Sequence, residues 1–351
     1  MFHQDFKLNG LSFDTAKMLL NFIEKNMPGH YPFLTGLFDE KNFITAYTSG
    51  STGKAKKIKI KKKYLYNSAR MTIDFFDLPP KSKVLLNLSP EFIAGKMMWV
   101  RALTGGWHLD LIDPQNNLIN KQLNKTKYDF GAMVPLQVFA NINRITQIEK
   151  LIIGGGAISG ELKNNLSGLP NKIFATYGMT ETVTHIAVKA LNDSAEKFRG
   201  LSKNYYRVLK NIKISTDQRN CLIINAPEIA DKQIITNDLV QIIDDNHFEW
   251  LGRFDHIVNS GGIKLIPEQI EQKIAKYINT NFFVTGIPDK KLGEKLILIV
   301  EGNISVELSG LKKILGKYEI PKTVYSVPSF IRTDSGKINR KKTLDLIKNR
   351  Q

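Results

Sequence analysis

The segment Thr48-Ser49-Gly50-Ser51-Thr52-Gly53-Lys54-Ala55-Lys56 places four hydroxyls, two glycines and two lysines directly after the apolar run Phe43-Ile44-Thr45-Ala46-Tyr47. Glycines let backbone N–H groups approach anionic oxygens, hydroxyls add rotatable donors, and lysine supplies a point charge. The pattern predicts a strand delivering a phosphate-gripping loop, with a solvated Ser/Gly turn and basic tail as the competing reading. A Walker A loop is excluded by spacing. Thr48 stands where that loop needs glycine, and Ala55 follows Gly53-Lys54 where it needs Ser or Thr.

A second group is Thr176-Tyr177-Gly178-Met179-Thr180-Glu181-Thr182, after the predicted strand Lys172-Ile173-Phe174-Ala175. An aromatic, a hydroxyl and a carboxylate there emerge together at the carboxyl edge of a sheet, where open α/β folds bind ligands. Tyr177 suits stacking on a flat base, Thr180 a phosphate contact, and Glu181 oxygen ligation of a hard cation. Taken singly, Tyr177 reads as core and Glu181 as an acid at a helix N-terminus. Two more stretches carry similar chemistry: Gly252-Arg253-Phe254-Asp255 running on to Ser260-Gly261-Gly262 and Pro267-Glu268, and Ser335-Gly336-Lys337 near the end. A lysine beside glycine on a loop can neutralise charge developing on a transferring group. Taken alone, a Gly-Lys pair reads as a solvated loop.

The elements that position these residues follow from periodicity. Short apolar runs alternate with helical patterns through the first two thirds: strands near Lys83 to Leu88, Trp107 to Ile112, Phe130 to Val134 and Leu151 to Ile153, and helices from Phe92 to Leu103 and Ser159 to Leu166. This predicts an α/β core with a largely parallel sheet. From about Tyr205 to Trp250 the texture becomes short strands with polar turns, including Cys221 to Asn225, Gln233 to Ile235 and Leu239 to Ile243. An attached antiparallel sheet is expected there. A hairpin at Gly261-Gly262, a helix opened by Pro267, two strands and a terminal helix follow, with a domain boundary at Asp255.

Composition bounds the classes. The 351 residues are 42% hydrophobic, enough for more than one domain. No apolar run is long enough to span a bilayer, and the start lacks a basic region followed by an apolar stretch, so a soluble, unprocessed cytoplasmic protein is expected. A single cysteine, Cys221, allows no internal disulfide and reads as strand filler. The net charge of +17 is spread along the chain rather than gathered in a stripe, and no aromatics interleave the run Lys54 to Lys63. Nucleic acid is therefore not an expected partner.

Together, Thr48 to Lys56, Thr176 to Glu181, Thr236-Asn237-Asp238, Gly252 to Glu271 and Ser335 to Arg340 resemble five core motifs of the adenylate-forming superfamily of acyl-CoA synthetases, in the family's order. The resemblance implies a large layered α/β domain with a small antiparallel sheet (1–254) and a small mobile α+β domain (255–351). With only 47 residues ahead of the first loop, it also implies a reduced amino-terminal subdomain, of which Leu19 to Ile23 form one amphipathic helix. It implies ATP, Mg²⁺ and coenzyme A as cofactors and a small carboxylic acid as substrate, with a carrier protein as the alternative acceptor; the oligomeric state, a homodimer among the options, stays open.

Carried over residue by residue, Thr48, Ser49, Gly50, Ser51, Thr52, Gly53 and Lys56 would hold the phosphates, with Ala55 where the family has proline. Gly155, Gly156, Ala157, Tyr177 and Gly178 would line the adenine. Thr180 and Glu181 would meet phosphate and Mg²⁺, Asp238 and Arg253 the ribose. Asp255 would be the hinge, Lys337 the catalytic lysine, and Gly261 and Gly262 a wall of the pantetheine tunnel. Phe92 stands where many members have histidine. The run Ile93 to Met98, with Arg101, looks like the short o-succinylbenzoate-CoA ligases of menaquinone synthesis. Their dicarboxylate needs a cation for its second carboxylate, Lys96 or Arg101.

Overall fold

The computed structural model describes residues 2–47, 56–112, 126–333 and 336–348. These fall into two compact units, one drawn from Met1–Gly156, Asn165–Lys213 and Asn225–Ile234, the other from Ala157–Asn164, Ile214–Ile224 and Ile235–Gln351.

The first unit carries β1 (Lys7–Leu8), β2 (Leu11–Ser12), β3 (Phe43–Tyr47), β4 (Lys57–Lys61), β5 (Lys83–Leu86), β6 (His108–Leu111), β7 (Tyr128–Met133), β8 (Ile148–Ile153), β9 (Lys172–Gly178), β10 (His185–Ala190) and β11 (Tyr206–Val208). Its main sheet runs in the order β11-β10-β9-β8-β7-β5-β6-β1-β2. The ladders from β1 through β6, β5, β7 and β8 to β9 are parallel, as the alternating pattern predicts, and β10 turns back antiparallel on β9. Their bodies, such as Val84-Leu85-Leu86 and Leu151-Ile152-Ile153, are buried apolar runs, because a parallel sheet is covered on both faces. One edge therefore collects the carboxyl ends of β5, β7, β8 and β9.

Helix α1 (Ala16–Asn26) is the expected amphipathic helix. Thr15 caps it by accepting from Met18 N at 3.2 Å, and Leu19 and Ile23 are buried. Helix α2 (Tyr31–Phe38) and the β1–β2 hairpin add to it. The basic run leaves the first loop as β4, paired antiparallel with β3, and then continues as helix α3 (Lys62–Phe75), which the sequence reading lacks. Tyr64, Leu65, Ser68, Ala69 and Thr72 bury a helical stripe there, two of its members polar, which weakens the apolar signal. Helix α4 (Ile93–Gly105) matches its predicted position.

The second unit holds β12 (Lys213–Thr216), β13 (Cys221–Asn225), β14 (Ile234–Asp244) and β15 (His247–Arg253), adjacent in that order. Cys221 is buried in β13. The two short strands expected at Gln233 to Ile235 and Leu239 to Ile243 are one strand, β14, antiparallel to β15. Its middle turns the polar residues Thr236 and Asp238 to the buried side, so the period-two pattern holds while its apolar signal vanishes. The β14–β15 ladder, ahead of Asp255, clusters with this unit.

A separate sheet follows, β17 (Ile263–Leu265), β16 (Val258–Ser260), β19 (Gly293–Glu301) and β18 (Phe282–Asp289), with β20 (Thr323–Val327) parallel to β19. Along β19, Leu296, Leu298 and Val300 enter one core with Ile270 and Ile274 of the helix Pro267–Ile274. Ile297 and Ile299 enter another with Ile347 of the helix Arg340–Lys348. Among the described residues, no helix is long and apolar enough to cross a membrane.

Candidate active site

In the first unit, candidate residues gather at the carboxyl edge of the sheet. Thr176 Oγ1 donates to Ile153 O at 3.2 Å, tying the ends of β8 and β9, beside the exposed Gly155 and Gly156. A Cβ on Gly178 would lie 2.3 Å from Thr184 O, so the returning chain leaves room only for glycine. The turn from Met179 to Thr184 is held by Thr182, whose Oγ1 accepts from Met179 N at 3.0 Å and donates to Thr184 O at 2.7 Å. Val183, β-branched, is held at φ 65°, a strained conformation. The result is a buried Thr180 and an exposed Glu181 side by side. Tyr177 packs against Tyr206 with ring centroids 5.8 Å apart. Thr48, Ser49, Gly50, Ser51, Thr52 and Gly53 lie outside the described residues, and the exposed Lys56 stands just ahead of β4.

The acid-pocket candidates separate clearly. Phe92 is the half-buried N-cap of α4. Lys96 Nζ donates to Pro90 O and, at 2.7 Å, to Glu91 O, closing its own preceding loop. Burial lowers its pKa to about 8, with the Glu91 charge opposing. Arg101 is 1% exposed, and its hydrogen-bond partners are Thr72 Oγ1 (Nε, 3.2 Å), Thr184 Oγ1 (Nη2, 3.2 Å) and Met98 Sδ (Nη1, 3.7 Å), with His185 Nδ1 at 3.4 Å. Burial lowers its pKa to about 9. Burial, and then the Arg101 charge, hold His185 well below its ordinary value, so it is neutral. Every one of these partners is uncharged. Thr72, Thr184 and His185 had no place in the sequence reading, because nothing in their spacing links α3 and β10 to α4.

The second unit brings Asp238, Arg253 and Lys337 together. Asp238 faces Arg253 across β14–β15, with Arg253 Nη1 3.7 Å from Asp238 Oδ1. Arg253 instead clasps both oxygens of Asp255, at 2.9 and 3.2 Å. Burial pushes the Asp255 carboxyl up, but the Arg253 bonds and charge outweigh it and hold the pKa below its usual value. Lys337 sits on a turn closed by Thr333 N donating to Lys337 O at 2.8 Å. Burial lowers its pKa, the Arg253 charge lowers it further, and the Asp238 charge opposes both. Gly261 and Gly262, at φ 59° and 83°, form the two-residue turn of the β16–β17 hairpin, as expected.

Among the described residues, no group of three His, Cys, Asp or Glu could hold an ion by itself. Mg²⁺ commonly takes one or two carboxylates and completes its shell with phosphate oxygens and water, and the exposed Glu181 fits that pattern.

Residues 39–207 match the family model for the AMP-binding enzyme. The crystal structure of an acyl-CoA synthetase (AMP-forming)/AMP-acid ligase II-like protein from Dyadobacter fermentans DSM 18053 is 32% identical, with a TM-score of 0.61, covering 95% of this chain and 99% of that one. A 2-succinylbenzoate–CoA ligase of Lactococcus lactis subsp. lactis (strain IL1403) is 24% identical over 323 residues, 86% of this chain and 71% of that protein. The fold is also that of the o-succinylbenzoate coenzyme A synthetase (MenE) from Bacillus subtilis in complex with ATP and magnesium ion, at TM-score 0.74 and 19% identity over 86% of this chain and 69% of that one. The chain belongs to the AMP-binding enzyme family, as an adenylate-forming acid–CoA ligase.

Proposed function

We propose that this chain activates o-succinylbenzoate with ATP and passes the acyl group to coenzyme A, the acid–CoA ligase step of menaquinone (vitamin K2) biosynthesis. The observation that carries the choice of acid is Arg101. A guanidinium buried among neutral partners is costly, and a buried anion beside it removes that cost. A dicarboxylate supplies the anion, because one carboxylate reacts and the other stays ionised. Lys96 is the weaker choice, since two carbonyls already occupy its ammonium. Similarity to 2-succinylbenzoate–CoA ligases at 24% and 22% identity supports the same acid.

In this reading a carboxylate oxygen of the acid attacks the α-phosphorus of ATP, and the bond to pyrophosphate breaks. Lys337 bridges the attacking carboxylate and the α-phosphate, offsetting the charge that accumulates. Thr48 to Gly53, Lys56 and Thr180 receive the phosphates, and Gly155, Gly156, Ala157, Tyr177 and Gly178 the adenine. Asp238 and Arg253 receive the ribose. Glu181 would hold Mg²⁺, which would neutralise phosphate charge when bound. The thiolate of coenzyme A then attacks the activated carbonyl and AMP leaves, with Gly261 and Gly262 walling the pantetheine path and a hinge at Asp255 dividing 1–254 from 255–351. The test is direct: o-succinylbenzoate, ATP and Mg²⁺ should release pyrophosphate, and adding coenzyme A should yield the thioester by mass. Pyrophosphate released only with a different acid would refute the assignment of the acid.

A further inference from the structure

We infer that Trp250 is a positioning residue for the nucleotide, its indole N–H fixing the Asp238 carboxylate that receives the ribose hydroxyls. This rests on the role proposed above for Asp238. The ladder between β14 and β15 pairs Asp238 with Arg253 and Leu239 with Gly252, and then Val240 with Trp250. Leu251 has no opposite number, so β15 carries one extra residue. In a regular ladder Val240 would face Leu251, and Trp250 would point to the face away from Asp238. The bulge turns Trp250 over, onto the face that Asp238 and Val240 share.

The consequence is a hydrogen bond from Trp250 Nε1 to Asp238 Oδ1 at 3.1 Å. Arg253 does not compete for that role. Its nearest approach to the same oxygen is 3.7 Å, beyond hydrogen-bond range, because Asp255 holds it. The bulge is built into its surroundings too, since a Cβ on Gly252 would lie 2.5 Å from Glu268 Oε2 and 2.7 Å from Ile266 Cγ2. A side chain there would push β15 away, and the indole with it.

The test uses Trp250→Phe, which keeps a ring and removes the N–H. Loss of a hydrogen bond to a charged group predicts an ATP Kd weaker by about tenfold, with the KM for the acid unchanged. Wild-type protein should prefer ATP to 2′-deoxyATP, and the variant should lose most of that preference. The emission of wild-type Trp250 should shift on ATP addition, while the fully buried Trp99 and Trp107 provide a constant background. A variant with wild-type ATP affinity and an unchanged preference overturns the inference and leaves the proposed function standing. If Trp250→Phe does not fold, wild-type emission unmoved by saturating ATP overturns it instead. A wild-type protein that binds no ATP removes the proposed function and this inference together.

Discussion

At the scale of single residues, the informative side chains are cations in unusual surroundings. Replacing Arg101 with Met removes a buried charge that has no anionic partner among the described residues, so the fold should be no less stable than the wild type within about 1 kcal/mol. Catalysis should separate from stability, with the KM for o-succinylbenzoate rising about 10- to 150-fold on loss of a charge-assisted contact and the KM for ATP holding. Thermal unfolding and steady-state kinetics on one preparation check both, and an unchanged acid KM would assign the distal carboxylate elsewhere. Lys337 yields a pH prediction. Its depressed pKa means that its charge is lost as pH rises, at a lower pH than for an ordinary lysine near 10.4. Adenylate formation should therefore fall on the alkaline side within reach of a stable pH–rate profile, and Lys337→Arg should move that limb upward.

At the scale of elements, two glycines distinguish the proposed nucleotide side from the proposed acid side. Gly178→Ala would drive a Cβ to 2.3 Å from Thr184 O and 2.5 Å from His185 Cα, both backbone, so the turn carrying Thr180 and Glu181 must move. The expected outcome is a large rise in the KM for MgATP. Gly95→Ala would meet Ser89 O at 2.1 Å and lift α4 from the loop beneath it, which should weaken acid use first. Paired KM measurements on the two variants test whether the sides respond independently. The elements were legible where apolar runs are continuous, as in Leu151-Ile152-Ile153 and Leu296 to Val300. They were hidden where polar residues occupy the buried face, as Ser68 and Thr72 do in α3 and Thr236 and Asp238 do in β14. A pattern reader counts those positions as solvent, although Thr72 meets Arg101 and His185, and Asp238 meets Trp250, partners that lie on other elements.

At the scale of the whole molecule, the net charge of +17 predicts electrostatic steering of a polyphosphate substrate. The kcat/KM for ATP should decline as ionic strength shortens the screening length, and a flat salt profile would confine the charge to solubility. The proposed division of labour between two half-reactions also makes a prediction for the whole chain. Lys337→Ala should suppress adenylate formation by two or more orders of magnitude while thioester formation from supplied adenylate stays near wild type. Equal loss in both steps would argue against a lysine used in only one of them.

The chain's local order was enough to determine strand–helix alternation, the five motifs and their sequence, and hence the family, because glycine, lysine and acid spacings are covalent facts. Tertiary structure decided what the motifs cannot express. It set Arg101 among neutral partners and closed Lys96 on its own loop, so two cations five residues apart acquired different surroundings. It gathered Asp238, Arg253 and Lys337, distant in sequence, within range of one another's charges. And one extra residue in β15 set which face Trp250 occupies, since register depends on the partner strand and no single strand contains it.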